Sequence, residues 1–257
     1  MEQSLLTSSA EHWGALWGNR PDAWAVSEQQ QIRVYEAALA RVSGEDVLDV
    51  GCGTGVFLRL CADRGARVTG IDAAAGLLEL ARARVPEASL TLGDLQTLPY
   101  ADDSFDLVTG FTSFFFAEDL VAALRDAGRV AKPGAPVVIQ VFGDPARCDL
   151  EAVKGAISRF RGEVVGQYWR PGAIEELLPA AGLQLDTALD LTWAYEYADD
   201  AALVEAMLAA GGAAMIAGPD RETELGSDIL EAVAHCRQPD GRYLVSNEWH
   251  VVIARVP

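Results

Sequence analysis

From Asp46 onward, short apolar runs alternate with stretches in which apolar residues recur every three or four positions. Val47-Leu48-Asp49-Val50 has the pattern of a buried strand. It ends in Gly51-Cys52-Gly53-Thr54-Gly55, after which Val56, Phe57, Leu60 and Cys61 follow at helical spacing. Arg67 to Ile71 reads as a second strand ending at Asp72, and Leu77, Leu78, Ala81 and Val85 stripe the next helix, which Pro86 stops. Ser89 to Leu92 is a third strand ending at Gly93-Asp94, and Phe105 to Thr109 is a fourth. A helix near 119–130, striped by Leu120, Leu124, Ala127 and Val130, leads through Lys132-Pro133-Gly134 into a fifth strand, Pro136 to Val141. Strands alternating with helices of this length predict βαβ units and a doubly wound, mostly parallel sheet.

The flanks have a different texture. Residues 1–43 read as a helical arm in which Trp13, Trp17 and Trp24 surround a break at Pro21. A helix is expected from about Glu28 to Arg41, with Ile32, Tyr35 and Leu39 on one stripe. After the fifth strand we expect a helical insertion near 145–160, a helix near 171–181 closed by Gly182, and a strand near 183–195. Two helices near 200–216 and 220–236 are separated by Gly218-Pro219, the first capped by Asp199 or Asp200. Tyr243 to Val256 reads as a long closing strand. The two helices before it interrupt a hairpin, and residues 198–238 are expected to cap the carboxyl edge of the sheet. The chain is read as one domain over 1–257, with the core at 46–143 and the substrate-side half at 144–257.

Charge narrows the partners. With 38 acids against 20 bases the net charge is −18, a surface that repels nucleic acid and anionic membranes. No run approaches the roughly 18 apolar residues of a membrane helix. Met1-Glu2-Gln3-Ser4 lacks the basic-then-apolar pattern of a signal peptide. A soluble, cytoplasmic protein is expected, as a monomer or homodimer. Cys52, Cys61, Cys148 and Cys236 form no C-x-x-C pair, and His12, His235 and His250 are scattered, so no metal is expected.

The most informative segment is the glycine loop. Glycine permits positive φ and lets backbone approach a ligand closely, and the helix that follows offers unpaired N–H groups. Asp72 ends the second strand 23 residues after Asp49, where its carboxylate can meet a ribose diol, and Asp94 ends the third strand within reach of an adenine edge. The dinucleotide fingerprint is G-x-G-x-x-G, whereas this loop reads G-x-G-x-G, and no Gly-Lys-Ser/Thr phosphate loop is present.

Val47 to Gly55 resembles motif I of the class I S-adenosylmethionine (SAM)-dependent methyltransferases. Gly93-Asp94-x-x-x-Leu98-Pro99-Tyr100 followed by Asp103 to Val108, and Arg129-Val130-x-Lys132-Pro133-Gly134, resemble the ubiquinone/menaquinone-biosynthesis-type, small-molecule branch. The branch's frequent second glycine after that turn is Ala135 here. The resemblance covers about 46–143. It implies a Rossmann-like, doubly wound, mostly parallel seven-stranded α/β fold with a helical N-terminal arm and helical cap insertions. It also implies SAM as cofactor, with S-adenosylhomocysteine (SAH) as product. Carried onto this chain, Asp49 lies at the loop, and the backbone of Gly51, Cys52 and Gly53 packs on the methionine and ribose. Asp72 binds the ribose hydroxyls and Ala73 faces the adenine. Asp94 and the N–H of Leu95 read the adenine, and Phe111 and Thr112, just past the fourth strand, lie near the sulfonium.

Methyl transfer from a sulfonium needs alignment and dryness more than a catalytic dyad, and a base only for a protonated nucleophile. No catalytic residue is assigned. Phe115 and Phe116 follow the fourth strand, Trp193, Tyr195 and Tyr197 alternate along one strand, and Trp17 and Trp24 belong to the arm. Together they predict an apolar pocket for a small hydrophobic or aromatic acceptor. The alternatives are a SAM-binding relative that catalyses a non-methylating reaction such as a cyclisation, and a protein methyltransferase.

Overall fold

Seven strands form one sheet in the order β3-β2-β1-β4-β5-β7-β6 in the computed structural model, which describes residues 8–161 and 172–257. β1 (Asp46–Val50), β2 (Arg67–Asp72), β3 (Ser89–Leu92), β4 (Leu107–Phe111) and β5 (Pro136–Phe142) pair in parallel. β7 (Tyr243–Arg255) runs antiparallel between β5 and β6 (Gln184–Tyr197). The chain winds outward from β1 through β2 to β3, then returns to β4 on the other side of β1. The carboxyl ends of β1 and β4 therefore flank the switch point, where open α/β sheets form their crevice.

Val47 to Val50 and all of β4 are buried, as expected for strands covered on both faces. On one face α6 (Leu120–Val130) buries Leu120, Leu124, Ala127 and Val130 against Leu48, Val108, Ile139 and Val252. Its N-cap, Asp119, accepts the Ala122 N–H at 2.9 Å. On the other face α4 (Val56–Ala62) buries Val56, Phe57, Leu58 and Cys61. The same core takes in arm residues Val34, Tyr35 and Ala38, and cap residues Leu203, Met207 and Ile229. α5 (Ala75–Arg84) ends just before Pro86, as the sequence predicts.

Four boundaries differ from expectation. β4 spans Leu107–Phe111 rather than Phe105 to Thr109, because Phe105 is committed to a bridge with Ala131. Phe111 is thus the last residue of β4 instead of lying past it. The arm, described from residue 8, is α1 (Ser8–Trp17), α2 (Pro21–Gln29) and α3 (Ile32–Leu39). The single helix expected over 28–41 breaks because Gln30 exchanges two hydrogen bonds with the Glu196 backbone, at 3.2 and 2.7 Å. Residues 172–178 form turns and Pro179–Ala181 a 3₁₀ turn closed by Gly182 at φ 76°, in place of an α-helix. Pro179 has no N–H to continue one; residue 171, where that helix was to begin, lies outside the described residues. The first cap helix stops early. α7 (Leu150–Arg161) is followed by β6 and then α8 (Asp200–Ala209), capped by Asp199 onto the Ala202 N–H. Gly211 at φ 57° then starts the short α9 (Ala213–Ala217), and α10 (Glu222–Ala232) follows Gly218-Pro219. No helix among the described residues is long and apolar enough to cross a membrane.

The arm is tied in at both ends. Arg20 pairs with Glu205 of α8 at 2.9 Å and Glu222 of α10 at 2.7 Å. α1 lies so close to the turn after β2 that a Cβ on Gly14 would sit 2.1 Å from the Ala73 carbonyl oxygen. Gly14→Val is therefore expected to destabilise the protein by about 1–3 kcal/mol in denaturant unfolding, through forced separation of arm and core. An unchanged midpoint would mean that α1 is not seated on this turn.

His250 faces away from this core. Its ring meets Asp190 at 2.6 Å and Glu175 at 2.9 Å. Burial opposes its charge, but the two carboxylates outweigh it and hold its pKa above the usual 6.5. A raised pKa stabilises the fold fully below the unfolded value and loses that contribution as pH rises through the folded value. His250→Gln should cost stability at pH 6 and progressively less above pH 7, read as unfolding midpoints. A penalty that does not change with pH would contradict the charged pair.

Candidate cofactor and acceptor site

β1 ends at Val50, and Gly51, Gly53 and Gly55 turn the chain into α4 with φ of 75°, 54° and 78°. The turn is tight against the loop after β4: a Cβ on Gly51 would lie 2.4 Å from the Ser113 Cβ, and Ser113 donates to the Val50 carbonyl at 2.6 Å. That second loop begins at Thr112, a β-branched residue held at φ 53°, a conformation such residues rarely adopt.

Three carboxylates gather at this loop. Asp72, at the end of β2, accepts the Gly53 and Ala74 N–H groups, each at 2.8 Å. Burial raises its pKa against those donors. Asp49 accepts the Thr109 hydroxyl at 2.7 Å, and burial, helped by Glu28 and Asp72, pushes its carboxyl well above the usual range. Glu28 reaches in from α2, where its carboxylate accepts the Thr54 N–H at 2.9 Å. It is 4% exposed, and burial lifts its pKa to about 7 although Thr54 and Arg84 pull the other way. Arg84 itself donates to the Thr54 carbonyl at 2.7 Å.

The loop opens onto a cleft between the carboxyl ends of the strands and the arm. Asp49, Gly51, Cys52, Gly53, Asp72, Ala73, Asp94, Leu95, Phe111 and Thr112, the positions read from the sequence, all line it. At one end, buried Asp94 accepts the Gln96 N–H at 2.9 Å. Trp13, Trp17, Trp24 and Phe116 line the cleft as well. Trp13 and Trp17 pack on Phe116 at ring distances of 4.7 and 5.7 Å, and Trp24 on Trp17 at 4.6 Å. Of the other expected acceptor residues, Phe115 stands outside the lining, packed on Phe116 at 4.5 Å. Trp193 and Tyr195 are buried further along the sheet, beside Trp249.

Sequence reading missed Glu28, Gln31 and Tyr35, which also line the cleft. Tyr35 was read with Ile32 and Leu39 as one apolar stripe, and Glu28 and Gln31, three residues apart, fall on either side of Gln30, where the arm helix breaks. Gln140, the lone polar residue of β5, was also passed over; it is fully buried and donates to Gln31 at 3.3 Å. None of the three histidines lines the cleft. His12 packs on Trp13, and His235 joins Asp149 and Cys236 in a cluster with contacts of 3.0, 3.3 and 3.4 Å. That cluster ties the end of the cap to the connection after β5. The thiol of Cys52, lining the cleft, is pushed well up by burial and is no nucleophile.

Comparison with known proteins agrees with this geometry. Residues 48–139 match the family model described as a methyltransferase domain. The malonyl-[acyl-carrier protein] O-methyltransferase of Serratia marcescens is 37% identical over 120 residues, covering 47% of this chain and 46% of that protein. The demethylmenaquinone methyltransferase of Renibacterium salmoninarum is 36% identical over 113 residues, covering 44% and 48%. The chain thus spans about half the length of the curated relatives it matches. Among solved structures, a Bacillus halodurans protein aligns with a TM-score of 0.63 at 18% identity, over 89% of this chain and 99% of its own. The [4+2]-cyclase SpnF aligns with 0.58 at 22%, over 88% and 80%. The glycine loop, the sheet order with its antiparallel β7 and the matched segment make residues 48–139 similar to a methyltransferase domain, set in a fold shared with the solved structures named above.

Proposed function

We propose that the cleft binds SAM and that the protein transfers its methyl group to a small, hydrophobic or aromatic acceptor. The observation that carries this reading is the trio of carboxylates around the glycine loop, Glu28 and Asp49 buried and Asp72 half-buried. Removing acids from water without a partner cation is costly, so the cleft is matched to a ligand that brings positive charge. SAM brings a sulfonium and an ammonium. The diphosphate of a dinucleotide would instead meet three acids.

When bound, SAM supplies an activated methyl group that passes to the acceptor by in-line displacement, leaving SAH. The chain's own part is to bind, orient and keep water out. Asp72 takes the ribose hydroxyls with the lone pairs its two N–H donors leave free. Ala73 packs on the adenine, which Asp94 and the Leu95 N–H read. The Gly51 to Gly53 backbone lies along the methionine, and Glu28 with Asp49 supplies negative potential for its ammonium. Phe111 and Thr112 border the sulfonium, and Trp17, Trp24 and Phe116 wall off the acceptor side, with Phe115 packed behind Phe116. Alignment of this kind supplies up to about 7–11 kcal/mol in well-oriented intramolecular cases, so no catalytic dyad is required. We read residues 1–257 as one working unit, arm and cap included. The relatives named above act on quite different acceptors, and the matched segment is the cofactor half, so the acceptor is argued from this chain's own walls.

Asp72→Ala should weaken SAM binding at least tenfold, about 1.4 kcal/mol, in calorimetric titration, and an unchanged Kd would remove Asp72 from the site. Glu28 gives a pH signature. In the free protein its pKa of about 7 keeps much of it protonated near neutrality, whereas a cationic ligand favours the ionised form. SAM affinity should rise between pH 6 and 8, and Glu28→Gln should flatten that rise. Asp49, Asp72, Arg84, Tyr35 and Tyr195 also face Glu28, so a slope that persists in the variant assigns the effect to them. Equimolar SAH release with acceptor separates methyl transfer from a SAM-assisted reaction that does not methylate.

A further inference from the structure

Away from the cofactor cleft, Asp149, His235 and Cys236 bring a carboxylate, an imidazole and a thiol to one point. Asp149 stands directly before α7. Its N–H donates to the Ser246 carbonyl at 2.8 Å, and its Oδ2 accepts the Ser246 N–H at 2.7 Å, so β7 holds both its backbone and its side chain. His235 and Cys236 come from the other side, in the 3₁₀ turn Ala234–Cys236 that follows α10. That turn is fixed in its own right: the Cys236 N–H donates to the Val233 carbonyl at 2.9 Å, and its carbonyl accepts the Gln238 amide at 2.9 Å. The grouping was invisible in the sequence because Asp149 lies 86 residues before His235.

His235 Nε2 lies 3.0 Å from Asp149 Oδ1 and 3.4 Å from Cys236 Sγ, and that sulfur lies 3.3 Å from Asp149 Oδ2. One ring nitrogen therefore faces both the acid and the thiol. A proton relay needs two, one held by the acid and the other turned to the nucleophile, so the trio is not built to activate Cys236 for attack. Its spacing suits a metal ion instead. Around a tetrahedral zinc with bonds of about 2.0 Å to nitrogen and oxygen and 2.3 Å to sulfur, neighbouring ligand atoms stand about 3.3 Å apart, or about 3.5 Å where one is sulfur. Each of the three contacts falls within about 0.3 Å of those edges.

We propose that Asp149, His235 and Cys236 bind one zinc ion, with water as the fourth ligand on the exposed side of the imidazole. The donor set selects the metal: thiolate and imidazole suit zinc, whereas magnesium and calcium take oxygen ligands. On binding, Cys236 gives up its thiol proton to solvent, and His235 coordinates through Nε2 as the neutral ring. The Ser246 N–H on Asp149 Oδ2 orients the carboxylate, in the manner of the outer hydrogen bonds that aim metal ligands. Cys236 is buried and His235 is exposed, so the ion sits at the surface with its sulfur side covered. None of the three residues lines the cofactor cleft. The ion is thus a clasp, fastening the last turn of the cap to the start of α7 and, through Ser246, to β7.

The test titrates metal-free, untagged protein with zinc by calorimetry and with cobalt(II) by absorbance. One equivalent of zinc should bind, and excess magnesium or calcium should not displace it. Cobalt should give the near-ultraviolet thiolate-to-metal band together with the visible bands of a tetrahedral ion. Cys236→Ser should abolish the thiolate band. Cys236→Ser, His235→Gln and Asp149→Asn should each weaken zinc at least about tenfold. Cys148→Ala should keep both band and affinity, because that thiol is turned to the Glu248 carbonyl at 3.4 Å. Zinc should also raise the unfolding midpoint of the unmodified protein but not that of Cys236→Ser, each compared with its own chelator-treated state, so a variant that is less stable by itself still gives an answer. No saturable zinc binding, a cobalt spectrum without the thiolate band, or an affinity that none of the three substitutions moves (adventitious surface binding only) would overturn the proposal. None of these results touches the cofactor reading, which SAM and SAH binding decide.

Discussion

Taking a carboxylate out of water is an expense that a fold keeps only where something answers it, and this molecule sets two buried ones, Glu28 and Asp49, and the half-buried Asp72 around one loop. Glu28, Asp49 and Asp72 come from the arm, from β1 and from β2, so their convergence fixes how those elements lie together. Each acid is held by donors from the loop or from the strand beside it. The loop is in turn shaped to present those donors, with three glycines in conformations that side chains disfavour. Removing the arm would strip the Thr54 N–H of its acceptor and bare the cleft that Glu28 and the tryptophans line. The arm is therefore part of the site's chemistry as well as its cover.

Elements whose logic is local were legible in the chain. The βαβ core from Asp46 to Phe142 follows from apolar runs, helical stripes and the stops at Pro86 and Gly134, and the positions expected to meet the cofactor share one cleft. The errors arose where a distant partner decides. Nothing near Gln30 announces that it will bond to Glu196 and break a helix. The offset of β4 depends on Phe105 pairing with Ala131, across a helix from it in sequence. Glu28 looked like an ordinary helix residue because the N–H that it caps is 26 positions away. Trp193 and Tyr195 were recognised as sharing a face, but their distance from the cleft required the register with β7.

The two halves of the molecule answer to different demands. Residues 48–139, where the resemblance to known proteins concentrates, hold the glycine loop with Asp49 and Asp72, while Glu28 reaches that loop from the arm. The β6–β7 pair and the cap lie outside that segment. Gln140, just past its end, interrupts the otherwise apolar β5.

The position of β7 has a consequence for how the molecule is made. A ribosome delivers β5 and β6 before the strand that must lie between them, and β7 pairs with both along most of its length. Until residues 243–255 emerge, two strand edges of a nearly complete sheet stand open. Exposed edges of this kind invite pairing with other chains. The sheet's final closure is a non-local event, with contacts between residues more than a hundred positions apart, and such contacts form slowly. The strand that closes the sheet is thus also the one that covers both of its open edges.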